Sequence, residues 1–426
     1  MKLLIKNGRI LDPASQLDEE ADLFVEDGKI AKISKTVKEK ADEIINAKGC
    51  YVMPGFIDLH VHLRDPGYEE KETIVTGAKA AARGGFTTIL AMPNTRPVAD
   101  NEDVVNYVHQ KAKNLAPVNV LQIGAVTKRQ EGKELSEIHE MVQAGIPAIS
   151  EDGHSVTNTD LYYRAMLIAK EEGIPVFAHC EDKNLVRGGV INEGKRAEEL
   201  HLPGIMNAVE DVITARDIVL AQAADVHLHL CHCSTKGSVW MVKQAKEKGL
   251  KVTAEAAPHH FVLADEDIPG DDANYKMNPP LRSPEDVEAI KEGLKNDIID
   301  VIATDHAPHT AIEKGRNMKR APFGIVGLET AATLTYSELV LKGYLTPMQM
   351  AEKMSCRPAK IIGLDKGTLQ EGSAADIVIF NPNIKYEISV NDFAGKAKNT
   401  PFDKRKTTGK VVVTIVSGEV VYREGI

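Results

Sequence analysis

The chain has 426 residues, of which 43% are hydrophobic and 27% charged, with 5 cysteines and a formal net charge of −10. This is the composition of a folded globular protein with a large core, which excludes a disordered chain. The acidic balance, with lysines and arginines scattered among acids, excludes a basic surface for nucleic acid or anionic membrane.

No stretch reaches the length of a membrane span, and Met1 to Asn7 alternates into an Asn-Gly turn instead of forming a leader. The few, odd-numbered cysteines (Cys50, Cys180, Cys231, Cys233, Cys356) suit a reducing compartment, so a cytoplasmic location is expected.

Both ends of the chain read as short strands joined by hairpin turns. Leu3-Leu4-Ile5 precedes Asn7-Gly8, Leu23-Phe24-Val25 precedes Asp27-Gly28, and Val411 to Val416 precedes Ser417-Gly418. Two β-rich ends around a middle of different character predict one small β-sandwich-like domain built from both termini, residues 1–53 plus 365–426. The middle, 54–364, is then a single inserted domain.

In that middle, apolar or β-branched runs recur at Phe56-His60, Phe86-Met92, Val118-Val126, Ile146-Ser150, Pro175-His179, Val226-His232, Lys251-Ala256 and Ile299-Asp305. Helical segments lie between them. One runs from Lys71 to Arg83 and stops at Gly84-Gly85, and another starts at Ser283-Pro284-Glu285-Asp286 with an N-cap, a first-turn proline and an acid. Eight strands alternating with helices predict an α/β fold, a (β/α)8 TIM barrel. A doubly wound open sheet is the alternative, but no Gly-x-Gly-x-x-Gly turn follows the first strand.

The histidines and acids fall at one end of this pattern. His60 and His62 end the first strand, Asp152 follows the fourth, and His179, His232 and Asp305 end the fifth, sixth and eighth. Side chains at the C-terminal ends of barrel strands converge on the axis, and strand alternation sends His60 and His62 to the same side. Imidazole and carboxylate without thiolate suit Zn²⁺, with Mn²⁺ or Co²⁺ as substitutes. Six candidates exceed what one catalytic zinc uses, so two ions about 3.5–4 Å apart, sharing a bridging carboxylate and hydroxide, are expected.

Specific runs then carry a resemblance: Pro54-Gly-Phe-Ile-Asp-Leu-His-Val-His-Leu-Arg-Asp-Pro-Gly67, Met92-Pro-Asn94, His179-Cys-Glu181, His232-Cys-Ser-Thr-Lys236, Asn278-Pro-Pro280 and Ala303-Thr-Asp-His-Ala-Pro-His309. Together they resemble the class I dihydroorotases of the amidohydrolase superfamily. The resemblance implies reversible, zinc-dependent cyclisation of N-carbamoyl-L-aspartate to L-dihydroorotate in pyrimidine (UMP) biosynthesis. It makes His60, His62, Asp152, His179, His232 and Asp305 the metal ligands and Asp305 the general acid/base. Arg64, Asn94 and His309 become the clamp on the substrate carboxylate, with His62 also a substrate contact. Asn278 and the backbone at Phe323-Gly324 hold the ring amide edge. The implied partner is the small-molecule substrate; the exposed helical faces of a barrel lead to the expectation of a homodimer, and association with aspartate transcarbamoylase is a further expectation.

Related hydantoinases and allantoinases, the first alternative, bridge their metals with a carbamylated lysine after strand four. Here that position reads Ser150-Glu151-Asp152, and Lys128 is the nearest lysine that could compete. A non-catalytic scaffold is the other alternative, and intact candidates for every ligand argue against it. His227, His229, Cys231 and Cys233 alternate with Leu228, Leu230 and His232, so they are expected to face the helices. His259 and His260 are expected to give structural support, and His306 to turn away from Asp305. The charged segment Thr310 to Arg320 is a candidate lid over the site.

Overall fold

The structure, a computed structural model, describes residues 2–425. Short parallel strands form at each of the eight predicted runs. They are β1 (Phe56–Val61), β2 (Phe86–Ala91), β3 (Asn119–Gln122, continued by Gly124–Ala125), β4 (Ile149–Ser150), β5 (Val176–Ala178), β6 (Leu228–Leu230), β7 (Val252–Ala256) and β8 (Val301–Ile302). Parallel ladders join β1 to β2 to β3 and then β3 through β8 in order. Most strands stop short of their apolar runs because the last residues leave the ladder to build the mouth.

Closure of the ring falls between β8 and β1. The backbone N–H of His62 donates to the carbonyl of His306 at 2.9 Å, and Val61 bridges His306 in parallel. The buried Asp58 carboxylate accepts from the backbone N–H groups of His60 (3.1 Å) and Thr304 (3.0 Å) and ties the two strands together. Burial pushes this carboxyl up to about 7.

Side chains from the strands pack in two layers. Ile57, Leu90, Phe177, Cys231 and Val301 meet in an inner cluster, plugged from below by Ile361 and Ile362. Phe56, Phe86, Leu228 and Leu230 belong to the outer layer beneath the helices. The helix Ile74–Gly84 begins later than predicted because Thr73 caps it, its hydroxyl accepting from the backbone N–H of Thr76. Gly85 ends it in the left-handed conformation, φ 89°. The helix Pro284–Lys295 starts as read, with Ser283 accepting from the N–H of Asp286.

Both chain ends meet in one eight-stranded mixed sheet, in which Ile377–Phe380 pairs antiparallel with Tyr51–Pro54. Hairpins turn at Asp27-Gly28 and Ser417-Gly418 with positive φ at both residues, as expected. Asn7-Gly8 differs. It is a register irregularity inside one continuous strand, Lys2–Asp12, because Asn7 at φ 59° bulges without reversing the chain. Among the described residues no helix is long and apolar enough to cross a membrane.

Gly84 packs where the first helix meets the last crossover. A Cβ there would lie 2.1 Å from the Leu328 carbonyl oxygen. Gly84→Ala is therefore expected to destabilise the protein by about 1–3 kcal/mol, read as a lower denaturant midpoint with an unchanged slope.

Candidate metal centre

All six mouth residues converge. Asp152 is the hub: its Oδ1 lies 3.2 Å from His60 Nε2, 3.5 Å from His179 Nδ1 and 3.6 Å from His232 Nε2, and its Oδ2 is 3.5 Å from His62 Nε2. Asp305 Oδ1 lies 3.1 Å from His62 Nε2 and 3.5 Å from His60 Nε2. Every one of the six is buried. Three groupings among them could each hold a metal ion: His60 with His62 and Asp152, Asp152 with His179 and His232, and His60 with His232 and Asp305.

Plain strand alternation does not aim these groups. With Ile57 and Leu59 in the inner cluster, continued alternation would send His60 and His62 outward, but a register irregularity between Asp58 and Val61 turns both inward. His232 follows Cys231, itself an inner residue, and reaches the mouth only because its backbone takes φ 32°. Asp305 and Arg64 also have positive φ, 46° and 62°. Such conformations cost non-glycine residues about 1–3 kcal/mol each and persist where the surroundings enforce them.

The electrostatics call for cations. Burial alone would neutralise Asp152, yet His60, His179 and His232 hold it well below the usual carboxylate range, and His60 and His62 do the same for Asp305. Burial opposes charge on His179 as well, but Asp152 and Glu181 outweigh it and raise it to about 10. Among the described residues, His60 Nε2 and Asp152 Oδ1 are buried without a hydrogen-bond partner and lie 3.2 Å apart. Lone pairs that face one another in a dry site are what a bound divalent cation satisfies, so the donor set fits a metal.

Beside this centre opens a cavity of about 330 Å³. Its walls bring together the residues expected to touch substrate: Arg64, Asn94, Asn278, His309, Phe323 and Gly324, with His62 at the floor. Arg64 Nε donates to the Pro308 carbonyl at 3.2 Å. His309 donates from Nε2 to the Phe323 carbonyl at 2.8 Å; burial, then Arg64, push its pKa down to about 2, so this imidazole is neutral. Asn94 Oδ1 accepts from His62 Nδ1 at 2.9 Å, and Asn278 Nδ2 donates to Glu181 Oε1 at 3.1 Å.

Asn399 was not singled out in the sequence. Its Oδ1 accepts from the backbone N–H of His309, and its Nδ2 donates to the carbonyls of Ala307 and Gly324, each at 3.0 Å. One buried amide thus fastens together two walls of the cavity. A lone asparagine in a Lys-Asn-Thr-Pro stretch carries no periodic signal that could have revealed it.

Lys128 pairs with Glu134 at 2.7 Å on a half-exposed turn. His306 turns away from Asp305 and accepts from the N–H of Gly327 at 3.2 Å. His260 meets the Pro279 carbonyl at 2.9 Å. His229 and Cys231 correct the reading: they face the barrel interior, not the helices, with the Phe177 ring 4.6 Å from His229. Alternation separated them from Leu228 and Leu230 but did not say which face was inside. The segment after His309 is pinned by buried Lys314, whose ammonium donates to the carbonyls of Lys276, Pro322 and Gly324.

Asp152→Ala is expected to remove bound divalent metal, measured by elemental analysis of the purified protein, whereas Lys128→Ala retains it. Metal retained by the first variant and lost from the second would make the lysine the bridge.

The amidohydrolase family matches residues 51–421. A dihydroorotase from Geobacter metallireducens is 50% identical over 424 residues, covering 99% of this chain and 100% of the relative. One from Pelotomaculum thermopropionicum is 49% identical, covering 100% of both. Among solved structures, an L-hydantoinase (dihydropyrimidinase) from Arthrobacter aurescens is 27% identical with a TM-score of 0.88, covering 100% of this chain and 96% of that one. The chain therefore belongs to the amidohydrolase family, and the two curated relatives that match it over their full length are dihydroorotases.

Proposed function

We propose that this protein catalyses the reversible cyclisation of N-carbamoyl-L-aspartate to L-dihydroorotate. The observation that carries the reading is a carboxylate, Asp152, at the meeting point of four imidazoles, beside a cavity that presents an arginine fork. In this reading His60, His62, Asp152, His179, His232 and Asp305 are the residues that would hold two Zn²⁺ ions. Bound there, a pair of zinc ions polarises an amide carbonyl and lowers the pKa of an attacking water.

The protein's own groups do the rest. Asp305 is ionised and lies against His60 and His62, so one of its oxygens can accept the water proton during ring opening. The same carboxyl then delivers that proton to the departing ring nitrogen, and closure reverses both transfers. Arg64 supplies planar paired donors for the substrate carboxylate, and Asn94 and neutral His309 add uncharged contacts. Asn278 and the backbone at Phe323-Gly324 hold the amide edge of the ring. The wall fastened by Asn399 keeps His309 and Gly324 at a fixed separation.

Residues 54–364 are the catalytic unit and 1–53 with 365–426 the composite β unit; Met1 and Ile426 lie outside the described residues. The enzyme works in the cytoplasm as a homodimer, and its place in pyrimidine synthesis makes aspartate transcarbamoylase its natural neighbour. The hydantoinase alternative draws on the shared fold, but Asp152 stands where those enzymes carry a lysine.

Purified protein is expected to turn over dihydroorotate but neither hydantoin nor allantoin, to lose activity to a chelator and to regain it with zinc. Turnover of hydantoin alone would overturn the assignment. Asp305→Asn should lower kcat by about 10²–10⁴-fold with substrate binding retained. Asn399→Ala should raise KM at least several-fold with metal content unchanged.

A further inference from the structure

We infer that Glu255 and His229 are positioning residues of the metal centre, which fix the tautomer and direction of His60 from inside the barrel. The inference rests on the metal reading proposed above. His229 of β6 and Glu255 of β7 are both buried, His229 lies opposite Thr253 in the parallel ladder, and both share the apolar barrel interior with Phe177. An ionised carboxylate survives in such surroundings only if its lone pairs are matched.

They are matched in a directional chain. Glu255 Oε1 meets His60 Nδ1 at 2.9 Å and the backbone N–H of His232 at 3.2 Å, while Oε2 meets His229 Nε2 at 3.0 Å. The Thr253 hydroxyl lies 2.9 Å from His229 Nδ1 and 2.9 Å from His227 Nε2. A carboxylate only accepts, so His60 donates from Nδ1 and His229 from Nε2. His229 Nδ1 then accepts from the Thr253 hydroxyl, which in turn accepts from His227 Nε2.

The consequence falls on His60. With its proton on Nδ1, its Nε2 presents a bare lone pair 3.2 Å from Asp152 Oδ1 and 3.5 Å from Asp305 Oδ1. Burying a carboxylate behind a ligating imidazole also raises the basicity of that imidazole toward a cation. A glutamine at 255 keeps the volume, but the backbone N–H of His232 holds its one acceptor on the His60 side, so its amide N–H faces His229, which must reverse its tautomer. His60 then keeps its tautomer but loses the charged partner that raises its basicity, and its far-side anchor is unsettled.

The test loads metal-free full-length protein with Co²⁺ against a chromophoric chelator and follows affinity and the visible spectrum, with thermal melting of the metal-free protein as the folding control. Glu255→Gln is expected to weaken Co²⁺ binding by about 10–100-fold and to shift the visible bands. His229→Asn, which removes the anchor of Glu255 but leaves its contact with His60, should weaken binding less. Wild-type affinity and spectrum in a folded Glu255→Gln protein overturn the inference. Should that variant fail to fold, wild-type affinity in His229→Asn overturns it instead. A wild-type protein that binds no Co²⁺ overturns the metal reading itself, which is a different failure.

Discussion

Two ionised carboxylates and four imidazoles share a few ångströms of buried space at the barrel mouth, and such a set is held together only by positive charge placed among its lone pairs. Asp152 expresses this demand most directly, since one carboxylate faces all four rings. Protons on His60 and His179 can meet the demand in part, and divalent cations meet it better because they engage several donors at once.

That convergence depends on backbone departures from regular strand geometry. The irregularity after Asp58 and the positive φ values at Arg64, His232 and Asp305 all lie at the C-terminal rim. Their cost is offset by the closed barrel beneath, where Asp58 joins β1 to the end of β8 and the inner cluster leaves little room to relax. Local strain at the rim and regular packing below are two sides of one arrangement.

The cavity depends on the C-terminal part of the chain as well. Asn399 joins the loop after β8 to the Phe323-Gly324 segment, and Glu72 accepts from the backbone N–H of Lys396 at 3.2 Å. Residues after the barrel therefore brace the wall of the cavity from behind. Beneath the metal centre, the Glu255 network gives the otherwise apolar barrel interior a polar axis that ends on His60.

The sequence by itself determined the architecture and the set of imidazoles and carboxylates that converge at the mouth, because both are written in local pattern. Eight apolar runs with capped helices between them specify the barrel, and His60, His62, Asp152, His179, His232 and Asp305 stand at the ends of those runs. Tertiary structure decided what pattern leaves degenerate. Alternation groups His229 with Cys231 but does not say which face lies inward, and Asn7-Gly8 can turn a chain or bulge a strand. Asn399 and Glu255 act through partners 90 and 195 residues away, respectively, so no local signal marks them. Only the closed barrel brings those partners into hydrogen-bond range.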